Sequence, residues 1–255
     1  DDLCKKKKIE QKERRGRKGG LWVSEILAIQ IWFNLSKCKD FKTFYQGVNG
    51  EFLRPFFPKM PNYSSFMKQI KRQAKTFHFI GRTKRSKGTF CIDSTPLPVC
   101  KNVRYRSHKT FKNMANWAHS SVSTTFGLKL HLVLNASRKF VKFSLKPGNL
   151  HDVSCAEEVL TGCTGTVIGD SGYVSTTLKD SLAKKGIRLI AKHRQNMAPN
   201  SREEKRFLKK RSIVETMIGK FKNFFGETLS RFRSPQPAYS AICAAIIAFN
   251  LGPLF

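Results

Sequence analysis

Two of the chain's seventeen carboxylates sit where a charge is hard to explain. Asp93 follows the apolar run Phe90-Cys91-Ile92, and Asp170 follows Thr166-Val167-Ile168-Gly169. A carboxylate at the end of an apolar strand is costly unless a metal, a cation or several donors compensate it. Each is followed by a small residue and a turn, Ser94-Thr95-Pro96 and Ser171-Gly172-Tyr173, which leaves room for a ligand. Either one alone reads as a turn-capping residue. A pair on neighbouring strands of a strongly basic chain favours a shared ligand. Hard oxygen donors suit Mg²⁺ or Mn²⁺. Two such ions roughly 4 Å apart can activate a water or a 3′-hydroxyl and stabilise the leaving oxygen of an in-line phosphoryl transfer. No protein nucleophile is then needed, in keeping with the lack of a convincing Ser-His-Asp or Cys-His arrangement. His108, His119 and His131 are scattered and read as structural.

A third acid is expected from a helix crossing the sheet. Glu203 and Glu204 fall in the first turn of a helix spanning 201–225, where the helix dipole already explains them, and Glu227 lies beyond its end. Glu215 is mid-helix, at the edge of an apolar stripe of Phe207, Val214, Ile218, Phe221 and Phe225. At ~100° per residue, Arg211 and Lys222 share its face. Taken alone, Glu215 reads sooner as a surface glutamate in a charge ladder with Arg211 and Lys222.

The elements that must position these groups show an α/β rhythm. Strands are expected at 88–99, 126–135, 139–147, 165–173 and 187–193, the second and third forming a hairpin. Helices are expected at 151–160, 174–186 and 201–225. This order predicts a mixed sheet flanked by helices. Upstream, 21–36, 40–48 and 62–80 read as three helices, with Ser24 and Asn62 or Ser64 as caps. They suit a helix-turn-helix-like DNA-binding region, or a helical scaffold for the domain that follows. Residues 1–20 are expected to be a basic flexible arm, 21–87 the helical region and 88–255 the catalytic domain, with the linker at 81–88.

The net charge of +31 implies a polyanionic partner, nucleic acid above all. Between Phe52 and His151 there are 20 Lys or Arg residues and one carboxylate, Asp93. The segment 101–112 places Lys101, Arg104, Arg106, Lys109 and Lys112 beside Tyr105 and Phe111, so it could track a phosphate backbone and stack on an unpaired base. Seven cysteines with no CxxC pair argue against a zinc site or a disulfide framework. The longest apolar run, 241–249, is too short for a membrane span and reads as a buried C-terminal helix.

The phrases CIDSTPLPVCKN, GLKLHLVLN, KPGNLHD, IGDSGY and RSIVETMIGKFKN occur in that order over residues 88–225. The chain thereby resembles the DDE-type transposases of bacterial insertion sequences. That resemblance implies an RNase H-like α/β fold preceded by a small all-α region, dependence on Mg²⁺ or Mn²⁺, and an acidic triad at Asp93, Asp170 and Glu215. It further implies strand cleavage and strand transfer at transposon ends, DNA as partner, a homo-oligomer on DNA as one arrangement it allows, no membrane, and a cytoplasmic, nucleoid-associated setting in bacteria. Relatives carry Tyr, Arg, Glu and Lys around the last acid. Arg211, Glu215 and Lys222 match, so Arg211 and Lys222 join the DNA-binding set, while the Tyr position is Leu208. His151-Asp152 is typical of the family and reads here as a turn and helix start. The alternatives are an RNase H-like nuclease without strand transfer and a DNA-binding protein derived from a transposase.

Overall fold

The computed structural model describes residues 20–36, 38–82, 86–119 and 123–251; the basic arm lies outside them. The chain forms two compact units, one from residues 1–80 with 234–255, the other from 81–233. The expected division placed everything after residue 88 in one domain. The contacts instead group the C-terminal helix with the N-terminal helices.

In the helical unit, α1 (Val23–Leu35) starts at Trp22 and not at Ser24, the cap expected from the sequence. The Glu25 carboxylate, at the third helical position, reaches back and accepts the Trp22 N–H at 2.6 Å. Asp40 caps α2 (Phe41–Gln46) by accepting the Thr43 N–H at 2.8 Å. A further short helix, α3 (Val48–Leu53), follows, and α4 (Tyr63–Arg82) begins where Asn62 accepts the Ser65 N–H. Phe41, Tyr45 and Phe66 form an aromatic core, with the Tyr45 and Phe66 rings 4.6 Å apart. The C-terminal helix, numbered α9 below (Pro235–Leu251), is rich in alanine and packs on α1. Its Ser240 hydroxyl donates to the buried Gln30 at 2.7 Å, so the polar pair inside this contact is satisfied.

The second unit is a six-stranded mixed sheet. Its strands are β1 (Ser86–Pro98), β2 (Asn116–His119), β3 (Thr124–Asn135), β4 (Phe140–Pro147), β5 (Cys163–Gly169) and β6 (Ile187–Ala191). The order is β2-β3-β1-β5-β6, with β4 also on β3. β1, β5 and β6 are parallel, while β2, β3 and β4 join antiparallel. The hairpin turns through Arg138 at φ 59°, with Asn135 accepting the Lys139 N–H. Gly88 pairs with Gly165 where β1 meets β5, and a Cβ on Gly165 would lie 2.3 Å from the Gly88 carbonyl oxygen. Glycine at 165 therefore lets the two central strands approach. Most of β3 is buried on both faces, His131 included. β2, with only four residues, has no pattern long enough to announce it.

Helices α5 (Asp152–Val159) and α6 (Thr176–Lys184) cover one side through Phe90, Ile92, Val133, Val159, Val167 and Leu182. The expected helix at 201–225 is two helices, α7 (Arg202–Leu208) and α8 (Ser212–Phe225), joined by a 3₁₀ turn at Lys209–Arg211. The tighter turn re-aims Arg211 and the start of α8. α8 packs on β1 through a buried face of Val214, Met217, Ile218, Phe221 and Phe225. No helix among the described residues is long and apolar enough to cross a membrane, and the six described cysteines are free thiols.

Candidate active site

The register of the two central strands sets the site. Cys91 pairs with Ile168 in the parallel ladder. Two residues further along each chain segment come Asp93 and Asp170, so the aspartates are level with each other just past the end of the β1–β5 ladder. β5 stops at Gly169, but β1 runs on to Pro98 against β3, so Asp93 lies within its strand and not at the strand end expected from the sequence. Strand alternation sends Asp93 to the side of Cys91, whose Sγ reaches the Lys210 carbonyl, and Ser94 to the opposite side, that of Ile92 and α5.

Both carboxyls are partly withdrawn from water. Burial pushes the Asp93 carboxyl up to about 6; the Ser94 N–H (2.8 Å) and Arg211 oppose the rise, and Asp170 and Asp152 add to it. Asp170 is also raised, chiefly by burial, with the Gly172 N–H (3.0 Å) holding it down and Asp152 pushing it up. The protein thus brings two desolvated carboxylates together and leaves their mutual repulsion standing. A divalent cation relieves such an arrangement, and the all-oxygen donor set suits a hard ion.

Glu215 is not beside them. Its carboxylate is exposed and forms an ion pair with Arg211 at 2.6 Å, one helical turn earlier. Arg211 lies near enough to lower both aspartates. One groove holds Asp170 with Lys192, His193, Arg194, Gln195 and Arg211, and the adjoining groove holds those same five residues with Glu215. Among the described residues, no three His, Cys, Asp or Glu side chains converge as a ready-made metal cluster.

The nearest further acid is Asp152, which sequence reading took only for a helix start. One oxygen, Oδ1, accepts from Ser94 Oγ at 3.0 Å and Lys129 Nζ at 3.2 Å. His131 is buried behind it, its Nδ1 3.8 Å away and its pKa pushed down to about 4, mainly by burial. The signals available in the sequence are a lysine and a histidine inside the mostly apolar run of β3 and a serine directly after Asp93. Lys192 and Arg194, which follow β6 and line the Asp170 groove, were also missed.

The segment 101–112 is pinned to the sheet. Asn102 donates to the Thr124 carbonyl at 2.7 Å and accepts from the Phe126 N–H. Phe111 is 1 % exposed, and Tyr105 packs edge-on against Trp117 with centroids 5.0 Å apart. The expectation that these rings would stack on a base therefore fails for Phe111 and leaves Tyr105 engaged within the protein: both are anchors, because burying them gains more than leaving them in water. Lys101, Arg104, Arg106, Lys109 and Lys112 remain exposed, Lys222 half-buried.

No curated protein matches the chain. One similar solved structure is described as the cryo-EM structure of the piggyBac transposase synaptic complex with hairpin DNA. It is 13 % identical, with a TM-score of 0.52 over 98 % of this chain and 72 % of that one, a likeness of fold. A family model described as the transposase DDE domain matches residues 83–235. That span is more than half of the chain and contains both aspartates, and the chain belongs to the DDE transposases, enzymes of metal-dependent DNA cleavage.

Proposed function

We propose that this transposase cuts DNA at the ends of an insertion sequence and joins the freed strand to a target, with Asp93 and Asp170 holding Mg²⁺ or Mn²⁺ and Glu215 as the third acid. The observation that carries the reading is the parallel register that sets Asp93 level with Asp170 where the β1–β5 ladder ends. When bound, the metal would supply Lewis-acid stabilisation of charge at the scissile phosphate and lower the pKa of an attacking water or hydroxyl. The protein contributes orientation. The Ser94 and Gly172 N–H groups fix one oxygen of each aspartate and leave the other available.

Arg211 connects Glu215 to this pair. Its guanidinium already holds Glu215, and its buried Nε has no hydrogen-bond partner among the described residues. A phosphate would accept from that spare donor and compete for Arg211, leaving Glu215 free to turn toward the aspartates. Lys101, Arg104, Arg106, Lys109, Lys112, Arg211 and Lys222 are proposed to bear on the DNA, joined by Lys192 and Arg194 in the Asp170 groove. Their exposure and the net charge of +31 support this.

The reading is tested with DNA carrying the element's own ends and purified protein in Mn²⁺. Cleaved and joined products are expected. Cleavage with no joined product would leave a nuclease of the same fold, and neither product would leave a DNA-binding protein.

A further inference from the structure

Asp152 holds its two carboxylate oxygens in different surroundings. Oδ1 is tied to β1 through Ser94 Oγ (3.0 Å) and to β3 through Lys129 Nζ (3.2 Å). Oδ2 makes no hydrogen bond among the described residues and faces Gly172. A Cβ on Gly172 would lie 3.3 Å from Asp152 Oδ2, 3.1 Å from Asp170 Oδ1 and 3.6 Å from Asp170 Oδ2. The absent side chain thus leaves a gap with carboxylate oxygens from two elements on its rim.

A second observation concerns the residue that follows Gly172. Tyr173, next in the chain, is 0 % exposed, and its hydroxyl has no hydrogen-bond partner among the described residues. Burial first, then the charges of Asp152, Asp93 and Asp170, hold its proton on. A buried hydroxyl without a partner is costly unless a water or an ion-bound ligand completes it.

We propose that Asp152 is an oxygen donor to the divalent cation of this site, reaching it with Oδ2 across the gap that Gly172 leaves beside Asp170. The inference rests on the reading of Asp93 and Asp170 as cation-holding residues. It extends that set with an acid from the α5 side of the sheet, opposite the side of Arg211 and Glu215. Ser94 and Lys129 keep Oδ1 engaged, which orients Oδ2 and offsets part of the charge of a third carboxylate. A divalent ion held by carboxylates and waters accommodates this, since hard cations accept oxygen donors in variable number.

The test uses Mn²⁺ alone as probe on the full chain without DNA, with free Mn²⁺ read by electron paramagnetic resonance. Asp152→Asn is expected to weaken Mn²⁺ binding on the order of tenfold or more. Gly172→Ala, which puts a methyl group into the gap, is expected to do the same with an unchanged far-ultraviolet dichroism spectrum. Should Asp152→Asn fail to fold, Asp152→Ser, read in the same way, takes its place, because the methyl group of Gly172→Ala also presses on Asp170. If Asp170→Asn abolishes binding while Asp152→Asn and Gly172→Ala bind as the parent does, Asp152 is no donor, and the assignment of Asp93 and Asp170 stands. If Asp93→Asn and Asp170→Asn also bind as the parent does, the cation site itself is misassigned and the inference falls with it.

Discussion

Burial, with Asp170 and Asp152 adding to it, raises the Asp93 carboxyl to about 6 from an ordinary 3.8. The folded chain therefore binds a proton at Asp93 more tightly than the unfolded chain does. By linkage, the stability this confers is present below about pH 4 and is lost as pH rises to about 6. His131 acts with the opposite sign. Its depressed value of about 4 costs stability as pH falls below the unfolded value of 6.5, so the net slope of the parent mixes the two. The difference between parent and Asp93→Asn isolates the aspartate. Without divalent ions, Asp93→Asn should be more stable than the parent at pH 7 by about 1–3 kcal/mol, and the gap should close toward pH 4. Urea unfolding in chelator at several pH values checks this. A less stable Asn variant at pH 7 would mean the carboxylate is compensated in a way the structure does not show. At this scale Asp93 and Asp170 stand out in sequence because an acid directly after an apolar run has few explanations, although β1 continues past Asp93 to Pro98. Asp152 is not, since the first turn of a helix explains an acid without reference to anything distant.

The segment after β1 shows what an element contributes. Its basic residues point outward because Phe111, Tyr105 and Asn102 fasten the chain to β2 and β3. Phe111→Ala removes a fully buried ring and should cost about 3–5 kcal/mol of stability. Lys109→Ala combined with Lys112→Ala should leave the melting temperature within about a degree while weakening DNA binding several-fold, as expected for two phosphate contacts. Thermal melts and fluorescence-anisotropy titrations separate the two kinds of residue. A stable, normally binding Phe111→Ala would show that the segment is not held in this way. β1, β5 and the β3–β4 hairpin are readable from their apolar runs and turn residues. β2 is too short, and the 3₁₀ turn at Lys209–Arg211 is set by packing, since Lys-Lys-Arg is as good in an α-helix as outside one. The buried C-terminal helix is legible as a helix. Its grouping with the N-terminal helices is not, because apolar residues that read as core do not specify which core they join.

The whole molecule is dominated by its charge of +31. Binding to duplex DNA should fall steeply with salt, on the order of a thousandfold between about 50 and 200 mM if six or more phosphates are contacted. Removing residues 1–18 should lower affinity without abolishing it, since most of the basic residues lie elsewhere. A salt-independent affinity would point to a different partner. The measurement closest to the central claim is cleavage of DNA in Mn²⁺ by the parent, Asp93→Asn and Asp170→Asn, with binding measured on the same preparations. The parent should cut. Both variants should lose cleavage by at least about a thousandfold, the scale of losing several kcal/mol of transition-state stabilisation, and still bind DNA within about twofold. Undiminished cutting by either variant would contradict the assignment of the two aspartates as the centre of the reaction.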